Sequence, residues 1–275
     1  MKKIFHNDII INRKSVFIDP CSTGFQYGNG FFTTIRCVDY HIEFIEDHIK
    51  RIKDSCKFFN LSFRNYDYQK IITDLLKINK FTLARVKIIV YEDQNTNYLI
   101  IPYEIQSKKN PQPLELEFSR QKRGNLEIHK YKSLNYYQNF SQMKRNNSGK
   151  RILNLDCYNN VLETATSNIF FLRKNEIVTP SANLPILSGI IRKKILNLKK
   201  IAEYSVKEAV IGSEEIENFD CAFLTNSIKK IEIVQKVGNH CFDWESYLSV
   251  LHKLDSKLGL KTKNKQRQDN SSLLW

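Results

Sequence analysis

Glycine and proline are scarce, 9 and 6 among 275 residues, which excludes a Gly-rich or Pro-rich low-complexity polymer. No apolar run approaches the roughly 18 residues of a membrane-spanning helix. The N-terminal MKKIFHNDII is basic but meets Asn and Asp before any signal-peptide-like apolar segment develops. The six cysteines (Cys21, Cys37, Cys56, Cys157, Cys221, Cys241) form no C-x-x-C pair and no ligand-like spacing. They therefore read as reduced thiols of a cytoplasmic protein, and metal ligation is not expected.

What is present is a chain with 41 % apolar and 12 % aromatic residues, long enough to bury a core as one large domain or two smaller ones. The formal charge of +14, from 43 basic and 29 acidic residues, raises the possibility of nucleic-acid binding. The basic residues are spread widely, however, and their densest cluster, KTKNKQRQDNSS at 261–272, has the composition of a polar tail. That distribution argues against nucleic acid and leaves a modest bias toward anionic small molecules. The glycines are distributed unevenly: Gly24, Gly28 and Gly30 fall within seven residues.

No internal repeat is visible. FHNDIIINRKSVFI reads as a strand hairpin. Ile45, His48, Ile49, Ile52, Cys56 and Phe59 recur at helical spacing, and a second helix is expected over 66–79. Strands are expected at 82–91 and 97–106, followed by SKKNPQP (107–113), a charged segment with two prolines that reads as a linker. Beyond it LELEFSR alternates as a strand, and residues 136–147 read as a helix. A meander of short strands runs to about Thr179, then a basic helix at 188–200, strands at 220–225 and 229–235, and a terminal helix at 245–258. The expected organisation is an N-terminal domain at 1–106, a linker at 107–113, a second domain at 114–260 and a basic polar tail at 261–275.

Lys132 stands out by context, in HKYKSLNYYQNF at a strand-to-helix junction, although most lysines in so basic a chain are simply solvated. Glu163 precedes the apolar segment SNIFF, where a lone glutamate is ordinarily a strand-edge charge. Ser188-Gly189 stands just before a helix, an arrangement that frees backbone N–H groups for an anion and is common among helices generally. Arg51, on an amphipathic helix, reads by itself as a surface ion-pair residue.

Together these residues form a specific pattern. Glu163, Ala165, Asn168-Ile169-Phe170, Ile177-x-Thr179 and Leu187-x-Gly189-Ile190-x-Arg192 resemble the signature of the class IV pyridoxal-phosphate-dependent aminotransferases. That family includes branched-chain aminotransferases, D-amino-acid aminotransferases and aminodeoxychorismate lyases. The resemblance extends to GFQYGNGFFTTIR (24–36), DHIKRI (47–52), KSLNYY (132–137) and FLTNS (223–227). It implies an α+β, two-domain fold of type IV, with a small N-terminal α/β sandwich and a larger C-terminal pseudo-barrel. It also implies pyridoxal 5'-phosphate as cofactor and a homodimer as the assembly.

By the same resemblance Lys132 is the catalytic Schiff-base lysine and proton shuttle. Glu163 faces the pyridine nitrogen, and Arg51 binds the phosphate through its guanidinium. The backbone N–H groups of Ile190 and Ile191 form the phosphate cup, with Thr225 and Ser227 adding hydroxyls. Most members carry Thr at the position of Ile191, so that side-chain hydroxyl is missing here. Tyr136 contacts the cofactor's phenolic oxygen. On the substrate side the resemblance points to Tyr27, Phe32, Arg36 and Arg85, and two arginines would suit an acidic substrate.

GFFTT (30–34) resembles the lyases, whereas aminotransferases more often carry Glu at the position of Thr33. The segment YEDQNTNY (91–98) lacks the Arg-Gly-rich loop of some lyases. The expected activity is therefore conversion of 4-amino-4-deoxychorismate to 4-aminobenzoate and pyruvate, a folate-precursor step. The alternative is an aminotransferase acting on branched-chain or D-amino acids with a keto-acid acceptor. A non-catalytic basic binding protein is a third reading, opposed by the intact set Lys132, Glu163 and Arg51.

Overall fold

The computed structural model describes residues 2–106, 112–145 and 149–258. These fall into two compact units, residues 2–106 with Tyr131–Tyr136, and residues 112–130 with 137–258. The short stretch 131–136 therefore groups with the N-terminal unit, whereas the sequence assigned all of 114–260 to one domain. Backbone pairing is the reason: Phe32 N–H donates to the Lys132 carbonyl at 2.9 Å, and Leu134 N–H to the Gly30 carbonyl at 2.8 Å. Such non-local pairing leaves no periodic trace in the sequence. Most of the 107–113 segment and the whole 261–275 tail lie outside the described residues.

The first unit comprises β1 (Lys3–His6), β2 (Ile9–Asn12), α1 (Thr23–Tyr27), β3 (Gly30–Val38), β4 (His41–Ile42), α2 (Ile45–Phe58), α3 (Tyr68–Asn79), β5 (Leu83–Glu92) and β6 (Thr96–Glu104). Its six strands form one sheet in the order β2-β1-β6-β5-β3-β4. On β3 the side chains alternate between two faces. Thr33, Ile35 and Cys37 are at most 1 % exposed on the face that meets α2, which buries His48, Ile52 and Cys56. Phe32, Thr34 and Arg36 share the other face.

The second unit contains β7 (Leu114–Phe118), α4 (Tyr137–Arg145), β8 (Arg151–Leu155), β9 (Val161–Thr164), β10 (Asn168–Arg173), β11 (Glu176–Pro180), α5 (Ile190–Asn197), β12 (Lys200–Ile201), β13 (Tyr204–Ala209), β14 (Cys221–Asn226), β15 (Lys230–Val237), β16 (His240–Cys241) and α6 (Leu248–Lys257). The ladder runs β10-β14-β15-β7-β8-β9, and Asn168 pairs with Glu163 to bring β9 back onto β10. Six strands thus close on themselves, giving the pseudo-barrel expected of fold type IV. Leu116, Leu153, Val161, Ile169, Phe171, Leu224 and Val234 belong to the main core cluster of this unit. The exposed, polar strand β13 escapes sequence reading because only one of its faces carries even a weak apolar pattern.

One ion pair ties the barrel wall together. Arg151 on β8 grips Glu232 on β15 through two hydrogen bonds of 2.7 Å, and Lys229 Nζ adds a third at 2.8 Å. Burial works to raise the Glu232 carboxyl, but Arg151 and Lys229 outweigh it and hold it below the usual carboxylate range. Folding therefore favours loss of that proton, so the contribution is complete above about pH 4 and fades as pH falls through the carboxylate range. Arg151→Met is expected to cost about 2 kcal/mol at pH 7, because Lys229 stays to pair Glu232. In urea titrations the gap between wild type and variant should narrow on acidification; a gap independent of pH would contradict this assignment.

Candidate active site

In the first unit, two of the expected residues, Lys132 and Tyr136, gather around the ring of a third, Phe32. Phe32 is only 7 % exposed. The Tyr136 ring meets it edge-on at 5.3 Å, and the Lys132 ammonium stands 4.7 Å from its centroid. Lys132 Nζ lies 3.5 Å from the Tyr136 hydroxyl. The turn leading into β3 requires Gly28: its φ is +69°, and a Cβ there would stand 2.9 Å from the Asn135 backbone nitrogen. A second cation, not anticipated, joins this group. Lys87 on β5 stands 4.0 Å from the centroid of the same Phe32 ring. Burial, then the neighbouring Arg85, lower its pKa, and no carboxylate pairs with it among the described residues. Strand register was the available signal, since Phe32 lies opposite Ile89 and Thr34 opposite Lys87 on one face.

Thr33 turns to the other face of β3. Arg51 Nη2 donates to Thr33 Oγ1 at 2.6 Å, and His48 Nδ1 lies 2.6 Å from the same oxygen. Arg51 Nε is buried with no hydrogen-bond partner among the described residues. Burial, partly offset by Tyr136, lowers the Arg51 guanidinium to about 10, so it stays cationic at neutral pH. The remaining expected residues of this unit have other surroundings. Arg36 and Arg85 face each other across β3 and β5. Arg36 Nε stands 3.8 Å from Glu43 Oε1, while Arg85 is exposed and covers the Tyr103 ring at 5.0 Å. Tyr27, at the end of α1, is 73 % exposed.

In the second unit, neighbouring strands line up Glu163 (β9), Asn168 (β10) and Thr225 (β14) in register. Glu163 Oε1 accepts from Arg123 Nη1 at 2.9 Å and from the Leu187 N–H at 3.2 Å, and Oε2 accepts from Asn168 Nδ2 at 3.0 Å. Asn168 Nδ2 also donates to the Leu187 carbonyl at 2.8 Å, docking the turn that leads into α5. Arg123 is 2 % exposed and pairs with a carboxylate forty positions along the chain, a partnership no local pattern announces. The nearby His129 is held down to about 4 by burial and by Arg123, and is therefore neutral at physiological pH.

Gly189 caps α5 without a side-chain cap, so the amides of Ile190 and Ile191 begin the helix at the positive end of its dipole. A Cβ at Gly189 would overlap Asn168 Oδ1. Thr225 Oγ1 is buried and has no hydrogen-bond partner among the described residues, and Ser227, two residues on, is half-buried. Each unit by itself suits part of pyridoxal phosphate. An orphaned arginine nitrogen, an orphaned hydroxyl and uncapped helix amides suit a phosphate. A fixed carboxylate suits a protonated ring nitrogen.

Comparison with known proteins agrees with this chemistry. The family model described as amino-transferase class IV matches residues 30–237. The chain therefore belongs to the class IV aminotransferase family, whose cofactor is pyridoxal phosphate. Over 96 residues it is 31 % identical to a probable branched-chain-amino-acid aminotransferase of Thermotoga maritima, a match covering 32 % of this chain and 35 % of that protein. It is 24 % identical to the aminodeoxychorismate lyase of Bacillus subtilis over 277 residues, covering 92 % and 94 % of the two chains. A putative 4-amino-4-deoxychorismate lyase from Legionella pneumophila superposes with a TM-score of 0.81 at 21 % identity, over 90 % of this chain and 98 % of that one. That likeness establishes the fold. No helix among the described residues is long and apolar enough to cross a membrane.

Proposed function

We propose that the protein is a pyridoxal-phosphate-dependent lyase that splits 4-amino-4-deoxychorismate into 4-aminobenzoate and pyruvate. The observation that carries this reading is the pair of ammonium groups, Lys132 and Lys87, within 5 Å of the Phe32 ring. A branched-chain amino acid carries a single carboxylate and an apolar side chain, so it brings only one anion to these two cations. 4-Amino-4-deoxychorismate carries two carboxylates, so it brings an anion for Lys87 beyond the one that any amino-acid substrate has. The full-length similarity to the Bacillus subtilis lyase supports the same choice.

In this reading Arg51, Thr225, Ser227 and the Ile190 and Ile191 amides hold the cofactor phosphate, and Glu163 faces the ring nitrogen. When bound, the cofactor supplies an electron sink beside the substrate's amino-bearing carbon. Lys132 Nζ takes the proton from that carbon, with the Tyr136 hydroxyl beside it to orient the amine. Breakage of the carbon–oxygen bond to the enolpyruvyl group then releases pyruvate and leaves the aromatic product. Family resemblance further suggests a homodimer, with Tyr27 at the substrate side.

The test is to supply the purified holoenzyme with aminodeoxychorismate and measure pyruvate, alongside keto-acid-dependent transfer from branched-chain, acidic and D-amino acids. Pyruvate release in excess of transfer is expected, and Lys87→Met should raise KM about tenfold or more with a smaller effect on kcat. Efficient transfer without pyruvate would replace the lyase by the aminotransferase reading, which the Thermotoga maritima match favours.

A further inference from the structure

We infer that Thr33 and His48 are positioning residues for Arg51, and that Thr33 governs retention of the cofactor rather than the choice between elimination and transfer. The inference rests on the reading of Arg51 as the phosphate ligand. Thr33 occupies the position at which the sequence resemblance separates lyases from aminotransferases, so a direct substrate contact would be the natural guess. The geometry points elsewhere. Thr33 is 0 % exposed and turned toward α2, while Phe32, with the Lys132 ammonium on its ring, occupies the opposite face of β3.

Hydrogen-bond capacity orders the three side chains into a relay. A guanidinium only donates, so in the 2.6 Å contact Thr33 Oγ1 is the acceptor from Arg51 Nη2. The single Thr33 proton is then free for the 2.6 Å contact to His48 Nδ1, and the relay assigns His48 as a neutral acceptor there with its own proton on Nε2. That nitrogen is buried and has no hydrogen-bond partner among the described residues. Neutrality agrees with the surroundings: burial first, then the cations Arg51 and Lys132, push the His48 imidazole well below its ordinary pKa. His48 and Arg51 are three residues apart on α2, which stacks them on one helix face.

The relay orients the guanidinium without neutralising it. A hydroxyl at position 33 accepts one N–H and takes none of the charge, whereas a carboxylate would form an ion pair. Arg51 Nε stays without a partner among the described residues and faces no competing acceptor for an anion. Holding the side chain in place beforehand reduces the rotamer freedom it loses when phosphate binds.

The experiment titrates pyridoxal phosphate into cofactor-free wild type, Thr33→Val, Thr33→Ser, His48→Leu and Arg51→Ala. It reads Kd from visible absorbance and melting temperature of the cofactor-free forms. Thr33→Val and His48→Leu are expected to raise Kd roughly tenfold each while melting like wild type, and Thr33→Ser, which keeps the hydroxyl, to bind like wild type. The ratio of pyruvate release to amino transfer should be unchanged in Thr33→Val. Equal losses in Thr33→Ser and Thr33→Val would mean packing alone and overturn the inference, as would a changed product ratio at unchanged Kd. A weakened Arg51→Ala beside a Thr33→Val that binds normally overturns only the relay. An Arg51→Ala with unchanged Kd removes the phosphate-ligand reading itself.

Discussion

Lys132→Ala is expected to abolish turnover, with kcat down by at least about 1,000-fold, and to leave a protein that takes up pyridoxal phosphate only reversibly. The size follows from two losses at one atom. In the proposed function Nζ is both the amine that would hold the cofactor and the base beside the substrate carbon; general-base removal alone costs about 100- to 10,000-fold. Around that atom the structure supplies an edge-on aromatic pair, Phe32 and Tyr136, with a hydroxyl at 3.5 Å. No other described lysine has these partners. Lys87 shares the Phe32 ring but stands on β5, away from the Tyr136 contact, and is not expected to substitute. Borohydride treatment followed by peptide mapping checks the point: wild type should carry the trapped adduct on Lys132 and the variant on no residue. Retained turnover in Lys132→Ala would overturn the assignment.

Glu163→Gln is expected to lower kcat by roughly 100- to 1,000-fold while the cofactor still binds, because a neutral amide cannot hold a proton on the ring nitrogen as a carboxylate does. A structural cost accompanies it. The carboxylate accepts from Arg123, the Leu187 N–H and Asn168. Glutamine turns one of those contacts into donor against donor, which costs about 1–3 kcal/mol. The partner variant separates charge from scaffold. Arg123→Met strips the buried Glu163 of its ion pair and should destabilise the protein by about 3–5 kcal/mol, more than Glu163→Gln does. Steady-state kinetics, cofactor occupancy and urea titration on the two variants measure all three effects. A Glu163→Gln enzyme with wild-type kcat would remove Glu163 from the chemistry.

These residues differ in how far the sequence alone singles them out. Lys132, Glu163 and Arg51 are legible because each sits in a short motif whose neighbours are constrained by backbone geometry: a small residue after Lys132, an apolar strand after Glu163, an amphipathic helix around Arg51. Helices with strong 3.6-residue periodicity, such as α2 and α3, are legible for the same local reason. Arg123 is not legible, since its value comes from a buried ion pair with a carboxylate forty positions along the chain. Thr33 is legible as a marker and misleading as a contact: its type carries family information, but its role depends on which face of β3 meets α2.

The sequence by itself therefore determined the class of chemistry, through residue types held at fixed spacing within single turns and strands, and it did so despite a charge of +14 that points elsewhere. Scarce glycine also proved informative, with Gly28 and Gly189 standing where a Cβ would collide with neighbouring atoms. Only the tertiary structure decided that Lys87 joins Lys132 over Phe32 and which hydroxyl meets Arg51. Arg36 and Arg85 had equal claim with Lys87 by type and strand location. Packing separates them, because Glu43 stands beside Arg36, Tyr103 lies beneath Arg85, and the Phe32 ring lies under Lys87. Strand alternation alone assigns residues to two faces; what lies against each face is set by contacts between segments far apart in the chain.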